Sequence, residues 1–181
     1  ARIARFRSSV EVSIYTPGSS AGRGLSILRS FALPAAGNAD DAAASRDRIS
    51  TAVSGLLGLV GIAADPLKSR EHILLANIID DAWRNGHALD IAALIGLVQK
   101  PPFAKIGVFD VETFYPPKER LELAMALNGL LASPGFPAWL EGEPLDVQRL
   151  LFTAEGRPRI AILSIAHLSD AERMFVVTLV L

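Results

Sequence analysis

Hydrophobic and polar positions change period twice along the chain. Val10-Glu-Val-Ser-Ile-Tyr15 alternates apolar and polar residues, which predicts a strand with one face buried. It runs into a turn-forming loop, Thr16-Pro-Gly-Ser-Ser-Ala-Gly-Arg-Gly24. Leu25 to Leu33 reads as a second extended segment, and the small, polar stretch Pro34 to Asp47 as a mobile connection. From about Arg46 to Leu131 the spacing becomes helical. Ile49, Val53, Leu56, Leu57 and Val60 share one face of a first helix, closed near Gly61. Asp65 as cap and Pro66 at the first helical position predict the start of a second, whose Ile73, Leu74, Leu75, Ile78, Ile79 and Trp83 form a wide apolar surface before Asn85-Gly86 stops it. Asp90 caps a third, Ile91 to Val98, ended by Pro101-Pro102. After irregular residues Phe103 to Tyr115, Pro116-Pro117 leads into a fourth with the stripe Leu123, Leu127, Leu130 and Leu131. Leu145 to Phe152 reads as a short fifth.

The period changes again near the end. Ile160 to Ala166 is continuously apolar and bounded by Pro158 and Ser169-Asp170, which predicts a central strand covered on both faces. Ser169 and Glu172 are spaced as a capping box for a last helix. That helix runs into Val176-Val-Thr-Leu-Val-Leu181 without Gly, Pro or a basic last turn, and the chain starts at Ala1 without Met, so the expectation is an excised piece of a larger protein. The order predicts a mainly α fold with flanking strands: strand and loop over 1–45, a helical insertion domain over 46–156, and a returning strand and helix over 157–181. The terminal strands are too few to form a sheet unaided, so each end needs the other or needs further strands.

Composition narrows the chemistry. The 181 residues are half hydrophobic and carry a formal charge of −1, so a core is available and no global basic field draws the chain to nucleic acid or membrane. The absence of cysteine excludes disulfides and thiolate metal sites and fits the cytoplasm. No apolar stretch reaches the roughly 20 residues of a spanning helix, so no membrane segment is expected.

The candidate chemistry is sparse. The glycine-rich loop after the first strand invites a phosphate-loop reading, but the position five after Gly18 is Arg23, and no Lys-Ser/Thr follows Gly24. It reads as a turn, with Arg23 as an anion or nucleic-acid contact in the alternative. Asp110 and Glu112 would share one face of a strand and could bind a divalent cation or do acid–base work, yet no third ligand stands at a telling spacing, so a solvated or capping role is expected. Asp80-Asp81 reads as a polar rim. His72, His87 and His167 fall at no metal-ligand spacing. His167 stands at the carboxyl end of the last strand, where α/β sheets place ligands. It reads as a hydrogen-bonded structural residue, with a nucleotide- or partner-proximal role as the alternative, and Arg173 on the following helix is a second such candidate. A hydrolase built on Ser164 and His167 lacks a Gly-x-Ser-x-Gly elbow. Arg2, Arg5, Arg7, Arg23 and Arg29 gather near the amino end and read as a solvated face.

Several segments carry a resemblance. Thr16-Pro-Gly-Ser-Ser-Ala-Gly, Ala64-Asp-Pro-Leu-Lys-Ser-Arg-Glu-His-Ile-Leu-Leu75, Leu131-Ala-Ser-Pro-Gly-Phe136, Trp139-Leu-Glu-Gly-Glu-Pro-Leu145 and Ser164-Ile-Ala-His-Leu-Ser-Asp-Ala-Glu-Arg-Met-Phe175 resemble the middle of bacterial HerA-like ATPases. These belong to the HerA–FtsK group of P-loop motors, related to type IV secretion ATPases. The resemblance implies a partial RecA-like α/β core interrupted by an all-helical insertion. It also implies a parent that is an ATP-driven DNA translocase or helicase-like ring, needing ATP and magnesium. Neither the Walker A lysine nor the Walker B carboxylates of such motors occur here, so the resemblance assigns no catalytic, cofactor-binding or metal residue to this chain. Its expected partners are the rest of the parent, further copies in a ring, and DNA in the assembled motor. The alternative is a stand-alone helical module that binds a protein partner through an exposed apolar stripe.

Overall fold

A computed structural model of the chain describes residues 5–6, 9–26 and 42–180. The fold is mainly helical with a few short strands. Two compact units divide it, one from Ala1–Arg29 and Pro134–Ser169, the other from Ser30–Ser133 and Asp170–Leu181. Residues 134–156, expected with the helical block, thus cluster with the strands. The final helix, expected with the returning strand, clusters with the helices.

The strand-bearing unit is built on β1 (Glu11–Tyr15) and β6 (Arg159–Leu163), which pair in parallel from Glu11↔Arg159 to Tyr15↔Leu163. β2 (Leu25–Ser26) pairs in parallel with β5 (Glu143–Pro144), and two short helices, α6 (Pro137–Leu140) and α7 (Val147–Leu151), complete the unit. The Gly24 and Gly142 backbones pass so closely that a Cβ on Gly142 (φ +107°) would occupy the space of Gly24. The extended segment read as Leu25 to Leu33 is a strand at Leu25–Ser26, and its remainder lies outside the described residues.

The sheet departs from expectation in which face it covers. β1 buries Ser13 and Tyr15 on the Glu11 side and exposes Val12 and Ile14, each 54% accessible. β6 likewise exposes Ile160 and Ile162, so it is covered on one face, not two. The registered pairs Val12↔Ile160 and Ile14↔Ile162 therefore form a bare apolar patch. Only a third layer could bury it, and none of the described residues supplies one.

The helical unit follows the predicted periodicity closely. α1 (Ala42–Leu59), α2 (Arg70–Arg84), α3 (Ile91–Gln99) and α5 (Pro117–Ala132) pack in sequence order, α1 on α2, α2 on α3, and α3 on α5. α8 (Asp170–Val180) packs along α1. Their shared core includes Leu56, Leu57, Leu74, Ile78, Leu94, Leu127 and Phe175. The Phe175 ring lies against Gly55, where a Cβ would come within 2.7 Å of it. α1 starts earlier than expected, at Ala42, so residues 42–47 are helical. Residues 34–41 lie outside the described set.

α2 starts later than Pro66. Asp65 accepts from the Leu67 and Lys68 amides at 2.8 and 3.2 Å, so it caps a turn, and Ser69 takes the N-cap position. Asp90 caps α3 as expected, accepting from the Ala93 amide at 2.7 Å. The region read as irregular, Phe103 to Tyr115, holds a hairpin of β3 (Lys105–Ile106) and β4 (Phe109–Asp110) turned at Gly107, followed by α4 (Val111–Phe114). Among the described residues no helix is long and apolar enough to cross a membrane.

Candidate functional site

The glycine-rich loop is pinned from inside. The Ser19 amide donates to the Thr16 carbonyl at 3.1 Å, the Ala21 amide to Ser19 Oγ at 3.2 Å and the Gly22 amide to Thr16 Oγ1 at 3.0 Å. The Arg23 amide donates to the Ile14 carbonyl at 3.3 Å, which folds the loop back along β1. A phosphate loop turns its amides outward onto the anion. Here four of them are engaged within the chain. Gly18 (φ +67°) lies under the Trp139 indole, where a Cβ would come within 2.6 Å of Cε2, and His167 Nε2 meets the Pro17 carbonyl at 2.9 Å. His167 therefore fastens the loop at the carboxyl end of the two parallel strands, and its bonded ring nitrogen faces Pro17, not Ser164.

Beside the loop lies an ionic cluster that no local sequence pattern announces. Glu11 Oε1 meets Arg159 Nη2 at 3.1 Å and Arg23 Nη1 at 3.4 Å, while the Ser13 hydroxyl donates to Oε1 at 3.0 Å. Glu143 accepts from the Tyr15 hydroxyl at 3.0 Å and lies 3.5 Å from Arg159 Nη1 and 3.8 Å from Arg23 Nη1. Arg159 also donates to the Tyr15 oxygen at 3.0 Å and to the Arg149 carbonyl at 2.7 Å. Two cations and two carboxylates thus join β1, β5, β6 and the loop around the buried Tyr15 ring.

The electrostatics agree with that closure. The Ser13 hydroxyl holds the Glu11 carboxyl below its ordinary range against the opposing pull of burial, with Arg159 and Arg23 adding to the effect. Burial pushes the Tyr15 phenol up, and the Glu143 carboxylate pushes it further. Burial disfavours the Arg159 charge, but Tyr15, Glu11 and Glu143 together outweigh it and move its pKa up. Each of these charges meets an opposite one, so the cluster acts as a fastening between β1, β5, β6 and the loop.

The remaining candidates disperse. Arg173 pairs with Asp170 at 3.2 Å on exposed α8, the kind of surface pair that contributes little. Asp80 pairs with Arg84 at 2.8 Å on the rim of α2. His72 is buried, with Nε2 at 3.2 Å from both Ser54 Oγ and the Ser50 carbonyl. Asp110 precedes α4 and Glu112 lies in its first turn, so they do not share a strand face. Among the described residues no group of three His, Cys, Asp or Glu could hold a metal ion. Among the described residues, the Ser19, Ala21, Gly22 and Arg23 amides are already engaged within the chain, which leaves them no donor for a phosphate. Comparison with protein-family models, curated proteins and solved structures gives no match.

Proposed function

We propose that this chain supplies the helical insertion and flanking core strands of a HerA-like P-loop motor ATPase, contributes subunit or DNA contacts in a ring, and has no catalytic activity of its own. The observation that carries this reading is the β1–β6 pair. Parallel sheets are stable when both faces are covered, because their crossovers place helices on each side. Here two parallel strands hold a whole helical block between them in sequence, yet their Val12, Ile14, Ile160 and Ile162 face is bare. A two-stranded parallel sheet with its apolar side outward fits a segment of a larger α/β core. The resemblance to HerA-like motors names such a core, RecA-like and interrupted by helices.

Purified chain with magnesium and ATP is expected to release no phosphate above the blank. Joined to parent segments bearing Gly-x-x-x-x-Gly-Lys-Ser/Thr and an acidic strand, it should gain turnover. Hydrolysis by the 181 residues alone would sink the reading. A second reading, the stand-alone helical interaction module, draws on Leu121 and Met125. These lie one turn apart on α5 and are 47% and 67% exposed. It requires a partner that binds this face without any ATPase core, and Met125→Glu should abolish that binding.

A further inference from the structure

An open cleft of about 580 Å3 lies in the strand-bearing unit, lined by Glu143, Gln148, Arg149, Phe152, Thr153 and Arg159. Its volume falls within the range of small-ligand sites. Three of its side chains are available. Among the described residues, Gln148 and Arg149 make no side-chain hydrogen bond or ion pair, and Phe152 is 43% exposed. Two others are fixed. Arg159 is engaged by Glu11, Glu143 and Tyr15, and Glu143 is held in place by the Tyr15 hydroxyl while its side chain stays 39% exposed.

We propose that this cleft binds a nucleobase together with its 5′-phosphate. A flat base stacks on the Phe152 ring, phosphate oxygens accept from the Arg149 guanidinium, and the Gln148 amide offers both a donor and an acceptor to the base edge. The Glu143 carboxylate accepts from an exocyclic amino group. Cytosine, adenine and guanine carry that group and thymine does not, so thymine is the disfavoured base. The other charges nearby do not attract phosphate alone. Asp146 accepts from the Arg149 amide, the Thr153 hydroxyl holds Glu155 below its ordinary carboxylate range, and Arg157 donates to the Val10 carbonyl. Arg149, Arg157 and Arg159 are matched in number by Glu143, Asp146 and Glu155, so the net local charge is nearly balanced; stacking on Phe152 supplies affinity for any base, and Glu143 supplies the preference. The site stands apart from the motor reading, because binding here requires no hydrolysis.

The test is an amide NMR titration of the whole chain with dCMP, dTMP, d(C)6, d(T)6 and inorganic phosphate. With dCMP, shifts should centre on residues 148–154, with a Kd on the order of 1 mM, and dTMP should bind several-fold more weakly. Arg149→Gln and Phe152→Ala, both at exposed positions, should each weaken dCMP binding by about 5-fold or more. Tighter binding of d(C)6 than of dCMP identifies a nucleic-acid strand as the source, and equal binding identifies a free nucleotide; either supports the proposal. Phosphate alone reproducing the shifts, dTMP binding as well as dCMP, unchanged binding by both variants, or no shifts at all would overturn it.

Discussion

A side chain missing at position 18 sets the course of the first loop. Gly18 sits at φ +67°, in the left-handed region, with the Trp139 indole where a Cβ would go. Gly18→Ala meets both a backbone strain and a collision, and should cost about 1–3 kcal/mol. Thermal denaturation followed by indole fluorescence reads this directly, since only Trp139 and Trp83 report. Glu11 acts through protons. Its carboxyl is held down in the folded state, so the unfolded chain binds a proton more readily. Its contribution is complete above the ordinary glutamate pKa of about 4.3 and fades as pH falls through the lower folded value. Denaturant midpoints measured from pH 6 to pH 2 should show an acid limb that Glu11→Gln flattens. Tyr115 gives the opposite sign. Burial first, then the Glu71 carboxylate at 3.3 Å, push its phenol well above the ordinary tyrosine range. Its stabilisation is complete below about pH 10 and is lost as pH rises toward the folded value. Tyr115→Phe should therefore soften the alkaline limb of the same measurement.

Among the elements, α3 and α5 are joined by a buried cation that carbonyl oxygens hold. Arg120, 5% exposed, donates from Nη1 to the Tyr115 carbonyl at 2.8 Å and from Nη2 to the Gln99 carbonyl at 3.4 Å. The second carbonyl closes α3, where the helix dipole favours positive charge. Arg120→Ala removes both donors and much packing, and should lower stability by about 2–4 kcal/mol in chemical denaturation. The helices around it were legible in the sequence, because their 3.6-residue stripes and caps are local signals: Asp90 and Pro117 mark starts that the structure keeps. The start of α2 was not, since Asp65 could cap either a turn or a helix, and here it accepts from the Leu67 and Lys68 amides while Ser69 Oγ accepts from the Asp65 amide, which closes a turn ahead of the helix. The sheet was legible as two strands but not as a face. Alternation in Val10 to Tyr15 says that one side is covered, and the apolar side is the natural choice. The burial of Ser13 and Tyr15 depends on Arg159, Glu143 and Arg23, which come from distant parts of the chain. The ionic cluster was hidden for the same reason, since nothing near Glu143 marks it as a partner of Tyr15.

At the scale of the whole molecule, the bare β1–β6 face is the feature most open to manipulation. Its four β-branched residues lie in register and face outward, so they favour contact with another apolar surface. Val12→Ser with Ile162→Ser should reduce self-association of the isolated chain in sedimentation velocity without lowering its melting temperature appreciably, because these side chains bury little within the chain. An unchanged sedimentation profile together with a large loss of stability would mean that the face is covered from within.

The parallel pairing also orders events in time. Tyr15 and Arg159 stand 144 residues apart in sequence, and their contact closes a loop that contains the helical block. Joining ends so distant costs chain entropy that grows with loop length, whereas the contacts among α1, α2, α3 and α5 close short loops first. The helices should therefore consolidate before the sheet, and a nascent chain carries β1 without its partner β6 until that strand has been made. In pulse-labelled hydrogen exchange during refolding, α2 and α3 amides should gain protection before those of β1.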